Sequence, residues 1–198
     1  MNKEAVFFDR DGTINEEVGY LSRLDQLVLY PTAARAIRMV NEAGMMAVVV
    51  TNQSGVARGI FDEAFLEKVH RRLQQMLADS GARIDRFYYC PHHPAEGRVP
   101  YVLDCDCRKP NPGMILRAAR ELHIDLGRSY MIGDTFRDVS AARRAGVTGI
   151  LVRTGYGARQ SDSEDLRGDG PEPAYNARDI LDAVSWILKD RSREHSYR

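Results

Sequence analysis

The sequence predicts an α/β fold built on a doubly wound, mainly parallel sheet. Short apolar runs of strand length alternate with amphipathic helical segments, and residues able to do chemistry fall directly after the runs. With 198 residues the chain fits one domain, expected over 1–190, and can bury about 70% of its unfolded surface.

Ala5 to Phe8 is an apolar run closed by Asp9, which reads as a buried strand followed by a polar loop. Residues 14–30 hold no period and contain Gly19 and Tyr20, as a loop or flap does. From Thr32 to Ala43, Ala33, Ala36, Ile37 and Val40 recur at helical spacing between Pro31 and Gly44. Met45 to Val50 is a second strand ending at Thr51. Asp62 caps a helix running to about Ser80, with Phe65, Leu66, Val69, Leu73, Met76 and Leu77 on its inner face. Arg86 to Tyr89 reads as a third strand, and 90–111 as a loop rich in Cys, His and Pro. Pro112 opens a helix to about His123, and Tyr130 to Ile132 is a strand leading into Gly133 and Asp134. A helix over 137–145, a strand from Gly149 to Val152 and a helix from Ile180 to Leu188 complete the pattern. Residues 157–176 are expected to form a mobile loop, and 191–198 a flexible tail.

Lys plus Arg equal Asp plus Glu at 28 each, so no global field favours nucleic acid or an anionic membrane. The longest apolar runs fall well short of a membrane span of about 20 residues, and the start does not read as a signal peptide. A soluble, cytoplasmic monomer with neither nucleic-acid nor membrane partner is the expectation. Cys90, Cys105 and Cys107 are the only cysteines; odd in number and close together, they suggest metal ligation more than a disulfide framework.

In an open doubly wound sheet the carboxyl ends of the strands form the ligand crevice, so Asp9, Thr51 and Asp134 should converge. Asp9 and Asp11 can share one cavity if the chain turns at Gly12, and like charges so close call for a cation such as Mg²⁺. Taken alone, the pair is equally an ordinary acidic turn. Thr51, followed by Asn52, Gln53 and Ser54, offers a hydroxyl and backbone N–H groups to a phosphate. Lys109 stands just before a Pro-initiated helix, within reach of a phosphoryl oxygen. Asp134 is placed to complete a metal site, and Asp138, one turn on, suits a ligand, a cap or an exposed charge.

Together, in this order, these segments closely resemble the haloacid dehalogenase superfamily of phosphatases over about residues 3–155. The resemblance implies that Asp9 attacks phosphorus, that Asp11 is general acid and then base, and that Thr51 and Lys109 stabilise the phosphoryl group. It assigns Mg²⁺ to Asp9, Asp11 and Asp134. Acting as an acid requires a protonated Asp11, and nearby negative charge is expected to raise its pKa.

Cys90-x-His92 and Cys105-x-Cys107 offer three thiolates and an imidazole, a closed tetrahedral Zn²⁺ set with a structural role over 90–107. His93 is an alternative ligand; the resemblance favours His92. Two branches of the superfamily carry this loop, the heptose bisphosphate and the histidinol-phosphate phosphatases. The segment Val49–Gly59, the Gly19-Tyr20 flap and Cys90 to Pro94 resemble the former more closely. That branch removes the 7-phosphate of D-glycero-D-manno-heptose 1,7-bisphosphate on the route to nucleotide-activated heptose for bacterial surface polysaccharide. It implies substrate contacts from Glu17, Val18, Gly19, Tyr20, Thr51, Asn52, Gln53, Ser54, Arg108 and Lys109. Some members carry Lys where this chain has Thr135, so one possible cation is absent. No large helical cap is present to cover the site. The rivals are hydrolysis of histidinol phosphate or another small phosphomonoester, and a non-catalytic zinc module, which lacks the basic, aromatic-rich surface it would need.

Overall fold

In a computed structural model, residues 3–160 and 171–196 are described. Strands β1 (Ala5–Phe8), β2 (Met46–Asn52), β3 (Arg86–Cys90), β4 (Tyr130–Gly133), β5 (Thr148–Val152) and β6 (Tyr175–Ala177) form one parallel sheet in the order β3-β2-β1-β4-β5-β6. Helices α1 (Ala33–Glu42), α2 (Glu63–Ala78), α3 (Gly113–Leu122), α4 (Phe136–Ala145), α5 (Gly157–Gln160) and α6 (Ile180–Ser196) connect and flank it.

The continuous apolar runs are explained by burial on both faces. Val6 and Phe8 of β1 join the core formed with α1, α2 and α6, while Ala5 and Phe7 join that formed with α3 and α4. All four are fully buried, and each Phe contributes about 1.5–3 kcal/mol relative to exposure. Asp62 caps α2 as expected, accepting from the Phe65 N–H at 2.7 Å.

Three differences follow from weak local signals. Strand β6 lies at the end of the segment expected to be a loop; with three residues and one buried side chain it has no readable period. Residues Gly157–Gln160 form a short helix, and the rest of that loop expectation, 161–170, lies outside the described residues. Helix α6 continues to Ser196, past the point where a tail is expected; Arg191 donates to Glu4 and to the Ala43 carbonyl, which ties its last turns to the body.

From β1 the chain winds outward one way through β2 and β3, then returns to β4 and winds the other way. The switch point therefore lies between β1 and β4, where such sheets open a crevice at their carboxyl ends.

Candidate active site

A cavity of about 360 Å³ opens at this switch point and gathers Asp9, Asp11, Thr51, Lys109 and Asp134. Asp9 follows β1, Thr51 lies in the last turn of β2, and Asp134 follows β4. Lys109 arrives on the loop before α3 and is clamped to the end of β2. Its N–H donates to Asn52 Oδ1 and its carbonyl accepts from Asn52 Nδ2, both at 3.0 Å.

Asp9 is held through one oxygen. Its Oδ1 accepts from the Arg10 backbone N–H at 2.7 Å and lies 2.9 Å from Lys109 Nζ, leaving Oδ2 without a donor among the described residues. The same ammonium lies 2.6 Å from Asp138 Oδ1, with both side chains almost wholly buried. Burial opposes a charge on Lys109, but Asp138 and Asp9 outweigh it and raise its pKa, so the cation persists. Burial pushes Asp9 up to about 6, with Lys109 pulling against it and Asp138 adding to it.

Asp134 is pushed to about 9, first by burial and then by the charges of Asp9 and Asp138. It is boxed in tightly. A Cβ on Gly12 (φ +78°) would lie 2.0 Å from Asp134 Oδ2, and one on Gly155 (φ +56°) 2.3 Å from it. Only glycine permits these left-handed turns to press so close, and Oδ2 also accepts from the Tyr156 N–H at 2.8 Å. Carboxylate oxygens of Asp9, Asp134 and Asp138 lie within 4.8 Å of one another. Such crowding leaves Asp134 protonated unless a cation is added, and hard oxygen donors fit Mg²⁺.

Asp11 does not turn its carboxylate into that cluster. Arg10 grips it with a fork, Nε to Oδ1 at 3.1 Å and Nη2 to Oδ2 at 2.7 Å. Asn15 Nδ2 donates to Oδ1 at 2.9 Å and Gln53 Nε2 to Oδ2 at 2.8 Å. The expectation of a raised pKa is therefore overturned. Burial does pull upward, but the Arg10 charge and these hydrogen bonds outweigh it and hold Asp11 below the usual carboxylate range.

Beyond β3 the chain brings together Cys90, His92, Cys105 and Cys107, while His93 turns to the cavity wall. Sγ of Cys105 lies 3.5 Å from that of Cys90 and 3.2 Å from that of Cys107; His92 Nδ1 is 3.7 Å from Cys90 Sγ and 3.4 Å from Cys107 Sγ. A zinc tetrahedron with bonds near 2.3 Å to sulfur has edges of about 3.5–3.8 Å, so the donor set fits after outward shifts of a few tenths of an ångström at Cys107. The hydrogen bond to Cys90, followed by burial, pushes the Cys107 thiol up, and a cation would be needed to hold it as a thiolate.

Of the flap, Glu17, Gly19 and Tyr20 line the cavity, whereas Val18 is solvent-exposed and does not. Burial and then the charge of Asp11 push Glu17 up to about 7. Asn52, Gln53, Ser54 and Arg108 line it too. Sequence reasoning assigned no substrate-side role to Arg58, Arg137 and Tyr156, which also line the wall, raised His93 only as an alternative zinc ligand, and left Asp138 undecided. Arg58 follows Thr51 within a segment already singled out, which was the available signal; Arg137 and Tyr156 carried none. Thr135, read as a lost cation, begins α4: its N–H and hydroxyl donate to Asp138 Oδ2 at 3.0 and 2.6 Å.

A HAD-hydrolase-like family model matches residues 106–183. Over 191 residues the chain is 44% identical to the D-glycero-D-manno-heptose-1,7-bisphosphate 7-phosphatase of Thermosynechococcus vestitus, covering 94% of this chain and 96% of that protein. The chain belongs to the haloacid dehalogenase-like hydrolases. A second relative in the family, the D-glycero-beta-D-manno-heptose-1,7-bisphosphate 7-phosphatase of Escherichia coli K12, is 47% identical over 152 residues, 76% of this chain and 80% of that one. Among solved haloacid dehalogenase-like structures, D,D-heptose 1,7-bisphosphate phosphatase from B. bronchiseptica, complexed with magnesium and phosphate, superposes with a TM-score of 0.83 at 34% identity, covering 94% and 99% of the two chains.

Proposed function

We propose that this phosphatase removes the 7-phosphate of D-glycero-D-manno-heptose 1,7-bisphosphate by way of an aspartyl-phosphate on Asp9. The observation that carries the chemistry is Asp9 itself, fixed through Oδ1 by Lys109 and a backbone N–H with its other oxygen undonated. The substrate is supported by the names of the relatives above. Arg108 and Arg137 on the same wall suit the phosphate that stays behind.

In the first step Asp9 attacks phosphorus, the bond from phosphorus to the C7 oxygen breaks, and that oxygen takes a proton from Asp11. Arg10, Asn15 and Gln53 keep Asp11 ionised at rest, so it must take that proton up from solvent once one of these donors lets go. In the second step, Asp11 takes a proton from water as the water oxygen attacks phosphorus, the bond to Asp9 breaks, and inorganic phosphate leaves. Lys109 and Thr51 offset the charge on the equatorial oxygens throughout. Asp9 and Asp134 are proposed to hold Mg²⁺, with Asp138 beside them; Asp11, also assigned to the ion by resemblance, keeps its carboxylate on Arg10. Bound there, the ion would supply positive charge that offsets the carboxylates and the transferring phosphoryl group. A structural Zn²⁺ on Cys90, His92, Cys105 and Cys107 is proposed to order the loop that presents Arg108. The enzyme is further proposed to act as a single-domain cytoplasmic monomer, on the route to nucleotide-activated heptose; among the described residues no helix is long and apolar enough to cross a membrane.

Phosphate release with magnesium, measured side by side on the heptose bisphosphate and on histidinol phosphate, tests the substrate; preference for the second would sink it. Asp9→Asn should reduce turnover by at least about 10³-fold, since covalent catalysis is lost. A variant with ordinary magnesium-dependent turnover would remove Asp9 from its role.

A further inference from the structure

Arg10 is among the largest fully buried side chains, 1% exposed, and the reaction as written gives it no part. It cannot reach substrate. Its donors are spent inside the protein: the fork on Asp11, a bond from Nη2 to Gln53 Oε1 at 3.1 Å, and a contact from Nη1 to His70 Nε2 at 3.5 Å. His70 is stacked on Phe87 of β3, with ring centroids 4.6 Å apart and planes 16° apart, so the guanidinium is braced by α2 and the sheet. Gln53 is similarly committed. At 4% exposure, its amide nitrogen donates to Asp11 Oδ2 at 2.8 Å and to Thr51 Oγ1 at 2.9 Å.

The consequence lies in the geometry of one carboxylate. Asp11 has about four in-plane acceptor positions, and each of its oxygens accepts two of the four bonds from Arg10, Asn15 and Gln53. Proton transfer requires one position to open. The planar fork is the rigid half of this cradle and Gln53 is tied to Thr51 as well, whereas Asn15, with a single bond to Asp11, is the donor that can yield.

We propose that Arg10 and Gln53 are positioning residues for Asp11. Arg10 fixes the plane and place of the carboxylate, and Gln53 links it to Thr51, so that the proton donor and the phosphoryl grip keep one spacing through the cycle. This rests on the reading of Asp11 as general acid. It also replaces the expected role of Gln53 as a substrate contact by a role exerted through Asp11.

The test uses leaving-group dependence, which a merely structural role would not move. An alkoxide leaving group needs the proton of Asp11, whereas p-nitrophenolate leaves without it. Values of kcat/KM, which report through cleavage of the ester bond, are measured for a sugar phosphate and for p-nitrophenyl phosphate. Asp11→Asn should lose about 10²-fold or more on the sugar phosphate and little on the aryl ester. Arg10→Lys, which keeps the charge but not the fork, and Gln53→Met, which withdraws both amide links, should show the same selective loss at about tenfold or more. If Arg10→Lys does not fold, Gln53→Met carries the test. Equal losses on both esters, or none, in the folded variants overturn the positioning role while leaving Asp11 as the acid. A leaving-group-independent Asp11→Asn overturns the acid assignment and this proposal with it.

Discussion

Substituting Asp138 by Asn isolates one buried charge. Asp138 Oδ1 stands 2.6 Å from Lys109 Nζ, with side-chain exposures of 1% and 3%, and among the described residues Asp9 is the other carboxylate on that ammonium, at 2.9 Å. Removing one partner from a buried pair costs about 3–5 kcal/mol when the remaining charge is left alone; with Asp9 still present the lower end applies, about 3 kcal/mol. The other oxygen accepts from the Thr135 N–H and hydroxyl at the start of α4. An Asn that keeps this contact points its amide donors at the ammonium, and one that avoids the clash gives up the cap, worth about 1 kcal/mol. The sum, about 3–4 kcal/mol, corresponds for a domain of this size to a Tm lower by roughly 6–16 °C. Scanning calorimetry without added magnesium reads this shift, and turnover should fall by about tenfold as Lys109 is drawn onto Asp9. Asp25→Asn is the control, since its pair with Arg23 is solvent-exposed on both sides and should leave Tm unchanged. If Asp138→Asn proves as mild as that control, the ion pair does not hold the site together and the reasoning fails.

Three further outcomes are expected. Cys105→Ser should lower bound zinc from one ion to none by elemental analysis, lower Tm, and raise KM through Arg108; full stability without the metal would contradict a structural role. His70 is held down to about 3, by burial and then by Arg10, against 6.5 for a free histidine. The unfolded chain thus binds the extra proton between those values and stability falls as pH drops through that window, by about 1 kcal/mol at pH 5.5. Denaturant titrations of His70→Gln should show this acid limb flattened, and an unchanged limb would place the imidazole in solvent. Gly12→Ala should cost at least about 2 kcal/mol for its left-handed backbone and displace Asp134; the magnesium concentration giving half-maximal activity should rise, and an unchanged value would refute the close approach.

Much of this was legible because buried parallel strands announce themselves as uninterrupted apolar runs, and the reactive residues sit where those runs stop. Asp9, Thr51 and Asp134 were found in that way, and Asp62 by its capping chemistry. Strand β6 escaped because Tyr175–Ala177 is too short to show a period. Asp138 was ambiguous for a physical reason: one carboxylate caps a helix with Oδ2 and pairs with Lys109 through Oδ1, so a local reading sees only the cap. The low pKa of Asp11 was missed because Arg10 reads as a loop cation. That buried guanidinium also contacts His70, sixty positions along the chain and placed there by α2.

The loop carrying the cysteines departs from Cys90 at the end of β3, which is the outermost strand on its side of the sheet. The four side chains of the cysteine-histidine cluster are thereby confined to a peripheral segment, and so are His93 and Arg108, which line the cavity. Lineages could lengthen, shorten or recolour that segment and alter which molecules are admitted, while the interior machinery stays untouched. Lys109 stands at the inner end of this loop, so a library confined to residues 93–104 would vary the outer wall while leaving the grip on Asp9 in place.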